Sequence, residues 1–272
     1  MGILREIISK KKDRLSDSKR RISLGELRGR LSELQDHRDF EGSIRRPKNH
    51  IPNSHINGQP LKLIAEIKRA SPSAGIIREG VDLSAIAGVY RDKRVDAVSV
   101  LTEEDYFRGS IDFIIQVKGI VSCPILRKDF IFDPYQVYEA GAYGADAILL
   151  IAAALNGAQA EELLGIAAQI GLSVLFEIHN HKELQQAIDL NCRVIGINNR
   201  DLTTLQVNIE TTLELIKDIP SDRIIVSESG IKGRQDASLM DKAGVDAILV
   251  GTSLMKTRTP SDMAAMIDEL RG

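Results

Sequence analysis

The sequence predicts an eightfold parallel β/α barrel (a TIM barrel) preceded by a helical extension, and three observations predict it. First, a seven-residue pattern recurs. Val95-Asp96-Ala97-Val98-Ser99-Val100-Leu101, Ala145-Asp146-Ala147-Ile148-Leu149-Leu150-Ile151 and Val245-Asp246-Ala247-Ile248-Leu249-Val250-Gly251 place their aspartates one or two blocks of 50 residues apart. Second, each copy enters a nearly uninterrupted apolar run, the pattern of a strand buried on both faces and hence of a parallel sheet. Third, a block of that size holds two strand-helix units, and further apolar runs do fall between the copies, at 124–126, 173–176, 193–197 and 223–226. With the run at 61–67 the strands number eight, over the roughly 200–250 residues such a barrel takes. A doubly wound open sheet is the competing arrangement, but no Gly-rich turn follows the first strand.

The elements can be taken in order. Residues 1–58 read as the helical extension and 59–272 as the barrel. The extension carries 14 Lys/Arg against 8 Asp/Glu, including Lys10-Lys11-Lys12 and Lys19-Arg20-Arg21. A basic arm suggests RNA or a membrane, but a solvated helix face is the plainer explanation. The stretch 39–58 is polar, with Asn53, Asn57 and Gly58. Helical patterns then follow the strands at 83–91, 134–140, 158–170, 182–190, 209–217, 234–243 and 261–270. Gly144 and Gly244, just before two of the repeated strands, suit helix C-termini.

Composition agrees with one large globular core. The chain has 272 residues, 43% apolar and 27% charged, with a net charge of −2, which gives no reason to expect a nucleic-acid partner. Met1-Gly2-Ile3-Leu4 is followed at once by Arg5 and Glu6, so neither an apolar signal core nor a spanning segment is expected, and the chain reads as cytoplasmic. Cys123 and Cys192 read as small buried residues and not as a disulfide framework.

Barrel enzymes place their chemistry at the C-terminal ends of the strands. The first strand ends Glu66-Ile67-Lys68-Arg69-Ala70-Ser71, and residues two apart on a strand share a side. A structural ion pair explains one such ending. Similar endings recur, however, with Lys128 after the third strand, Glu177 after the fifth, Asn198 after the sixth and Glu228 after the seventh. Two lysines, three glutamates and an asparagine on one rim are hard to assign to stability. The loops after the last two strands, Ser229-Gly230-Ile231 and Gly251-Thr252-Ser253, hold small residues where such barrels bind phosphate through backbone N–H groups. A tight turn is the plainer explanation of either glycine alone. Ser71 can close the same cradle.

Together with Leu101-Thr102-Glu103-Glu104-Asp105-Tyr106-Phe107, Leu126-Arg127-Lys128-Asp129-Phe130, Gly196-Ile197-Asn198-Asn199-Arg200-Asp201 and Gly251-Thr252-Ser253-Leu254-Met255, these endings resemble indole-3-glycerol-phosphate synthase of tryptophan biosynthesis. The resemblance runs in order from about residue 60 to the C-terminus. It implies ring closure, decarboxylation and dehydration of 1-(2-carboxyphenylamino)-1-deoxyribulose 5-phosphate to indole-3-glycerol phosphate, CO2 and water. It implies Lys128 as the acid of ring closure, Lys68 as the cation for the substrate carboxylate, and Glu177 as a proton-transfer group. Glu66, Glu228 and Asn198 would orient lysines and substrate. Ser71, Ser229, Gly230, Gly251, Thr252 and Ser253 would bind phosphate, with Phe107, Arg200 and Leu249 against the substrate.

The resemblance also implies that the extension covers the barrel mouth, and that the protein is a monomer or weak homo-oligomer, with other tryptophan-pathway enzymes as conceivable partners. One departure is Ala74, where the family often has a lysine after Ser-Pro-Ser. Three other readings stay open at this point: a class I aldolase using Lys68 or Lys128 as Schiff-base nucleophile, a sister phosphosugar isomerase, and a phosphate-binding barrel without catalysis. No metal and no cofactor are expected. His179 and His181 lack further ligands at useful spacing and read as a solvent-facing loop pair, and no nucleotide fingerprint appears.

Overall fold

The computed structural model describes residues 2–34, 37–47, 60–80 and 82–272. The boundary expected at 58/59, with Asn53, Asn57 and Gly58, lies outside the described residues. Eight strands close a parallel barrel: β1 (Lys62–Ile67), β2 (Ala97–Leu101), β3 (Ile125–Lys128), β4 (Ala147–Ile151), β5 (Ser173–Ile178), β6 (Val194–Asn198), β7 (Ile224–Glu228) and β8 (Ala247–Val250). Closure is made by β1, which pairs with β2 through Ile64 opposite Ala97 and with β8 through Ile64 opposite Leu249.

The alternation along each strand divides the buried side chains into two populations. Leu63, Ala65, Val98, Ile148 and Ile195 face the helices, whereas Ile64, Ala97, Leu126, Leu149, Val194 and Val226 fill the barrel. The helices following the strands are α4 (Leu83–Asp92), α5 (Asp112–Lys118), α6 (Pro134–Ala142), α7 (Gly157–Gln169), α8 (His181–Asp189), α9 (Glu210–Leu215), α10 (Arg234–Ala243) and α12 (Pro260–Arg271), with a short α11 (Thr252–Met255) before the last. Their starts are set by side chains. Asp133 caps α6 in a reciprocal box with Gln136, and Asn156 does the same for α7 with Gln159. Gly244 ends α10 at φ +89° and Gly144 follows α6 at φ +87°, a conformation that favours glycine.

The recurring aspartates have a structural cause. Asp96 accepts from the Leu63 N–H (2.9 Å), Asp146 from Ile125 (2.8 Å) and Asp246 from Ile225 (2.8 Å). Each carboxylate therefore holds the first amides of the strand beside its own, at the N-terminal end of the barrel strands. The repeat is a stability device.

The extension has three parts with three destinations. α1 (Ile3–Arg21) crosses the mouth, where Ile3, Leu4 and Ile7 line the cavity. α2 (Leu24–Glu33) packs on α6, with Leu27 fully buried in a cluster with Leu15, Tyr135 and Ala142. A Cβ on Gly141 would stand 2.5 Å from Leu31 Cδ1, so that glycine lets the two helices approach. α3 (Phe40–Ile44) lies at the opposite end of the barrel. Its Phe40 and Ile44 are fully buried in the cluster that holds Ile64, Ala97, Val194 and Ile224. The flanking residues tie it there, the Arg38 N–H to Asp146 (2.8 Å) and the Arg46 N–H to Asp246 (3.1 Å).

Two expectations for small groups are corrected here. The basic face of α1 is not solvated throughout, because Lys11 is buried between Asp129 (2.9 Å) and Glu104 (2.9 Å). Two carboxylates compensate its desolvation. Cys192 is buried as expected, while Cys123 is only half-buried. Among the described residues, no helix is long and apolar enough to cross a membrane.

Candidate active site

The strand period decides which side chains meet. Glu66, Lys128, Glu177, Asn198 and Glu228 each stand two residues, or a multiple of two, beyond an inward-facing core residue, so each points into the mouth. Register aligns them further: Asn198 lies opposite Glu228, and Glu177 opposite Gly196. They line a cavity of about 640 Å³.

Lys128 is its centre. Nζ is 2.8 Å from Glu177 Oε2 and 2.5 Å from Glu228 Oε2. Burial works against the ammonium, but Glu177, Glu228 and Glu66 together outweigh it and raise the pKa above the usual lysine value. Across the mouth Lys68 pairs with Glu66 Oε1 at 2.7 Å. Glu177 Oε1 accepts from Asn198 Nδ2 at 3.1 Å. Burial alone would raise Glu177, yet Lys128 and His179 pull it well below the carboxylate range. Glu228 goes the other way, pushed up to about 7 mainly by burial, with Lys128 opposing and Glu177 and Glu66 adding repulsion. Neighbouring carboxylates that share one ammonium are driven apart in this way. Glu228 Oε1 is buried and receives no hydrogen bond from the described residues.

Two glycines make room for this cluster. A Cβ on Gly196 would stand 2.3 Å from Glu228 Oε1, and one on Gly251 would stand 2.2 Å from Glu66 Oε1. No other residue fits at either place with the carboxylates where they are.

The loops expected to cradle phosphate line one side of the same cavity, together with Ser71. Ser229 and Gly230 both take positive φ, +65° and +85°, so the chain turns sharply at the end of β7. α11 begins at Thr252, and its first N–H groups have no acceptor within the helix. The Ser253 hydroxyl donates to Ile231 O at 2.8 Å, which leaves the backbone N–H groups and the Thr252 hydroxyl as the donors of that loop. Lys232 and Lys256 also border the cavity.

Phe107, Arg200 and Leu249 all line the cavity. Phe107 tilts against Phe130 with ring centroids 6.1 Å apart. Its loop is shaped by Glu103, which is fully buried and accepts the N–H groups of Asp105, Tyr106 and Phe107. α1 is fastened to this loop by Arg14–Asp105 (2.7 Å) and by the Tyr106 hydroxyl donating to Glu6 (2.6 Å).

Sequence reasoning missed three groups. Ile3, Leu4 and Ile7 give the mouth an apolar wall, contributed by a helix more than a hundred residues from most of the charges. Arg127 and Asp129, either side of Lys128, point out of the barrel into a buried network with Glu139, Lys11 and Thr102. His179 corrects the solvent-facing expectation: its side chain is 10% exposed and lies between Glu177 and Glu183. His181 is exposed at the start of α8.

Comparison with known proteins gives this constellation its family. A family profile described as indole-3-glycerol phosphate synthase matches residues 4–270. The chain belongs to the indole-3-glycerol phosphate synthase family. It is 45% identical over 260 residues to the indole-3-glycerol phosphate synthase of Acidithiobacillus ferrooxidans, covering 96% of each chain. It is 46% identical to that of Caldanaerobacter subterraneus subsp. tengcongensis, covering 93% of each. Among solved structures, 3-hexulose-6-phosphate synthase from Salmonella typhimurium superposes with a TM-score of 0.61 at 15% identity, over 77% of this chain and 98% of that one. That likeness is one of fold. Indole-3-glycerol phosphate synthases are carboxy-lyases of tryptophan biosynthesis, and the protein takes that place.

Proposed function

We propose that the mouth converts 1-(2-carboxyphenylamino)-1-deoxyribulose 5-phosphate to indole-3-glycerol phosphate, with Lys128 as the acid of ring closure. The carrying observation is the placement of Lys128 Nζ between two carboxylates on the inner rim. The aromatic carbon bearing the carboxylate attacks the ketone carbon, and the carbonyl oxygen takes a proton from the Lys128 ammonium. CO2 then leaves with its bonding electrons returning to the ring. Finally the new hydroxyl departs as water while a proton is lost from the neighbouring carbon. Atoms balance as one substrate to one indole-3-glycerol phosphate, one CO2 and one water.

The environment of each group supports its part. A charged lysine in a partly closed site is a strong donor to a developing alkoxide. Lys68 offers the substrate carboxylate a cation. Glu177, held ionised, collects the proton of the dehydration step, and Glu228 Oε1 is free to take a substrate hydroxyl. Asn198 fixes Glu177. The apolar wall from Ile3, Leu4, Ile7, Phe107, Phe130 and Leu249 receives the aromatic ring, and the loops with Ser229, Gly230, Thr252 and Ser253 receive the phosphate. Arg200 borders the same space. Reaction takes place in the cytoplasm on this reading.

A Schiff-base aldolase is disfavoured by the same electrostatics, since that nucleophile needs an uncharged amine and Lys128 is held charged. The test is product formation. The purified protein incubated with the substrate should yield the fluorescent indole product and CO2 in equal amounts. Tight binding of the substrate without either product would leave only a phosphate-binding barrel.

A further inference from the structure

We propose that His179 is a positioning residue for this reaction, an imidazolium wedged between Glu183 and Glu177 that keeps Glu177 ionised and aimed at Lys128. The inference rests on the proposed catalytic role of Glu177. Its ground is geometry. Nδ1 lies 3.0 Å from Glu183 Oε2, and Nε2 lies 3.3 Å from Glu177 Oε1. The two ring nitrogens thus face two different carboxylates, Nδ1 in a hydrogen bond with Glu183 and Nε2 at ion-pair distance from Glu177 without hydrogen-bond geometry, and a positively charged ring suits both.

The fold builds the clamp deliberately. β5 runs on from Glu177 to Ile178, and His179 follows with its side chain on the same side as Glu177. Glu183 sits in the first turn of α8, where its carboxylate also accepts the His179 N–H (2.8 Å) and the Asn180 side chain (2.8 Å). The backbone and the ring of His179 are therefore held by one carboxylate, and the ring is left no freedom to turn away. Asn180 caps α8 by accepting from the Glu183 N–H, which fixes Glu183 in turn.

Charge supports the same assignment. The groups facing His179 are Glu177 from β5, Glu183 from α8 and, through space, Asp201 from the loop after β6. Lys128 lies on the other oxygen of Glu177. Burial alone would favour the neutral ring, but Glu177 and Glu183 push its pKa up to about 10. The imidazolium remains charged across the physiological range. It thereby gives Glu177 a second cation, so that donating a proton from Lys128 does not leave Glu177 without a positive neighbour.

The experiment compares the parent protein with His179→Gln, His179→Lys and Glu183→Gln. It measures kcat and KM against pH and, separately, the protonation of the imidazole nitrogens by 15N NMR. In the parent, both nitrogens of His179 carry protons at pH 7, and Glu183→Gln lowers the pH at which one is lost. His179→Gln should lower kcat by between roughly 10- and 100-fold with little change in KM, since a misdirected catalytic group costs that much. Its acid limb should move to higher pH, because Glu177 loses a stabilising cation. His179→Lys should return the limb toward the parent.

A neutral His179 at pH 7 in the parent would overturn the proposal, as would a His179→Gln profile that superimposes on the parent's. If His179→Gln does not fold, His179→Asn must show the same upward displacement of the acid limb, and a parent-like profile there overturns the proposal equally. Absence of turnover in the parent would count against the proposed reaction instead, and the NMR measurement would still decide the state of His179.

Discussion

Glu228 Oε1 occupies the space that a side chain on Gly196 would need, 2.3 Å from where its Cβ would stand. The two residues lie on neighbouring strands, and the bare backbone of β6 lets the Glu228 carboxylate turn toward Lys128. Gly196→Ala should therefore push Glu228 aside while leaving the barrel closed. A displacement of about 1 Å at a catalytic group costs on the order of 10²-fold in rate. Steady-state kinetics should find kcat reduced by about that factor with a circular dichroism spectrum like the parent's.

Phe40 tests the other end of the barrel. It is fully buried among the first inward residues of several strands, far from the charged rim. Phe40→Ala should lower stability by about 3–5 kcal/mol, the usual cost of removing a buried phenyl ring. Denaturant unfolding measures this, and KM measured on the folded protein should not move.

The loops proposed to receive the phosphate make a separable prediction. Gly230 has φ +85°, and a Cβ there would stand 2.9 Å from Val207 Cγ1. Gly230→Ala is strained on both counts and should disturb the loop after β7. KM should rise several-fold with a smaller change in kcat, the pattern of lost ground-state binding. Weaker competitive inhibition by inorganic phosphate would accompany it.

His179 also links stability to pH. Its pKa is raised on folding, from an ordinary value near 6.5 to about 10, by Glu177 and Glu183 against burial. A raised pKa contributes stability that is complete below the unfolded value and is lost as pH rises through the folded one. The Tm difference between the parent and His179→Gln should thus be largest below pH 6.5 and should shrink as pH approaches 10. Thermal unfolding at a series of pH values measures it.

Much of this was legible in the chain. Strands buried on both faces are continuous apolar runs, so the eight strands stand out, and a period of two carries Glu66 and Lys68, or Glu177 beyond Leu175, to the same side. What the sequence hides depends on distant partners. Lys11 reads as one of three surface lysines because Asp129, which buries it, lies 118 residues away. His179 reads as a loop residue because only α8 packing returns Glu183 to it. α5 leaves little trace in the sequence, being seven residues long, without a side-chain cap and with Ile115 exposed. α3 is shorter still, and nothing in five residues says that Phe40 and Ile44 close the far end of the barrel.

The most direct test of the central claim is the turnover of Lys128→Ala with the carboxyphenylamino-deoxyribulose phosphate. Loss of a general acid should lower kcat by about 10²–10⁴-fold while substrate still binds and the protein still unfolds cooperatively. A Lys128→Ala protein that turns over within a few-fold of the parent would contradict the assignment of Lys128 as the proton donor.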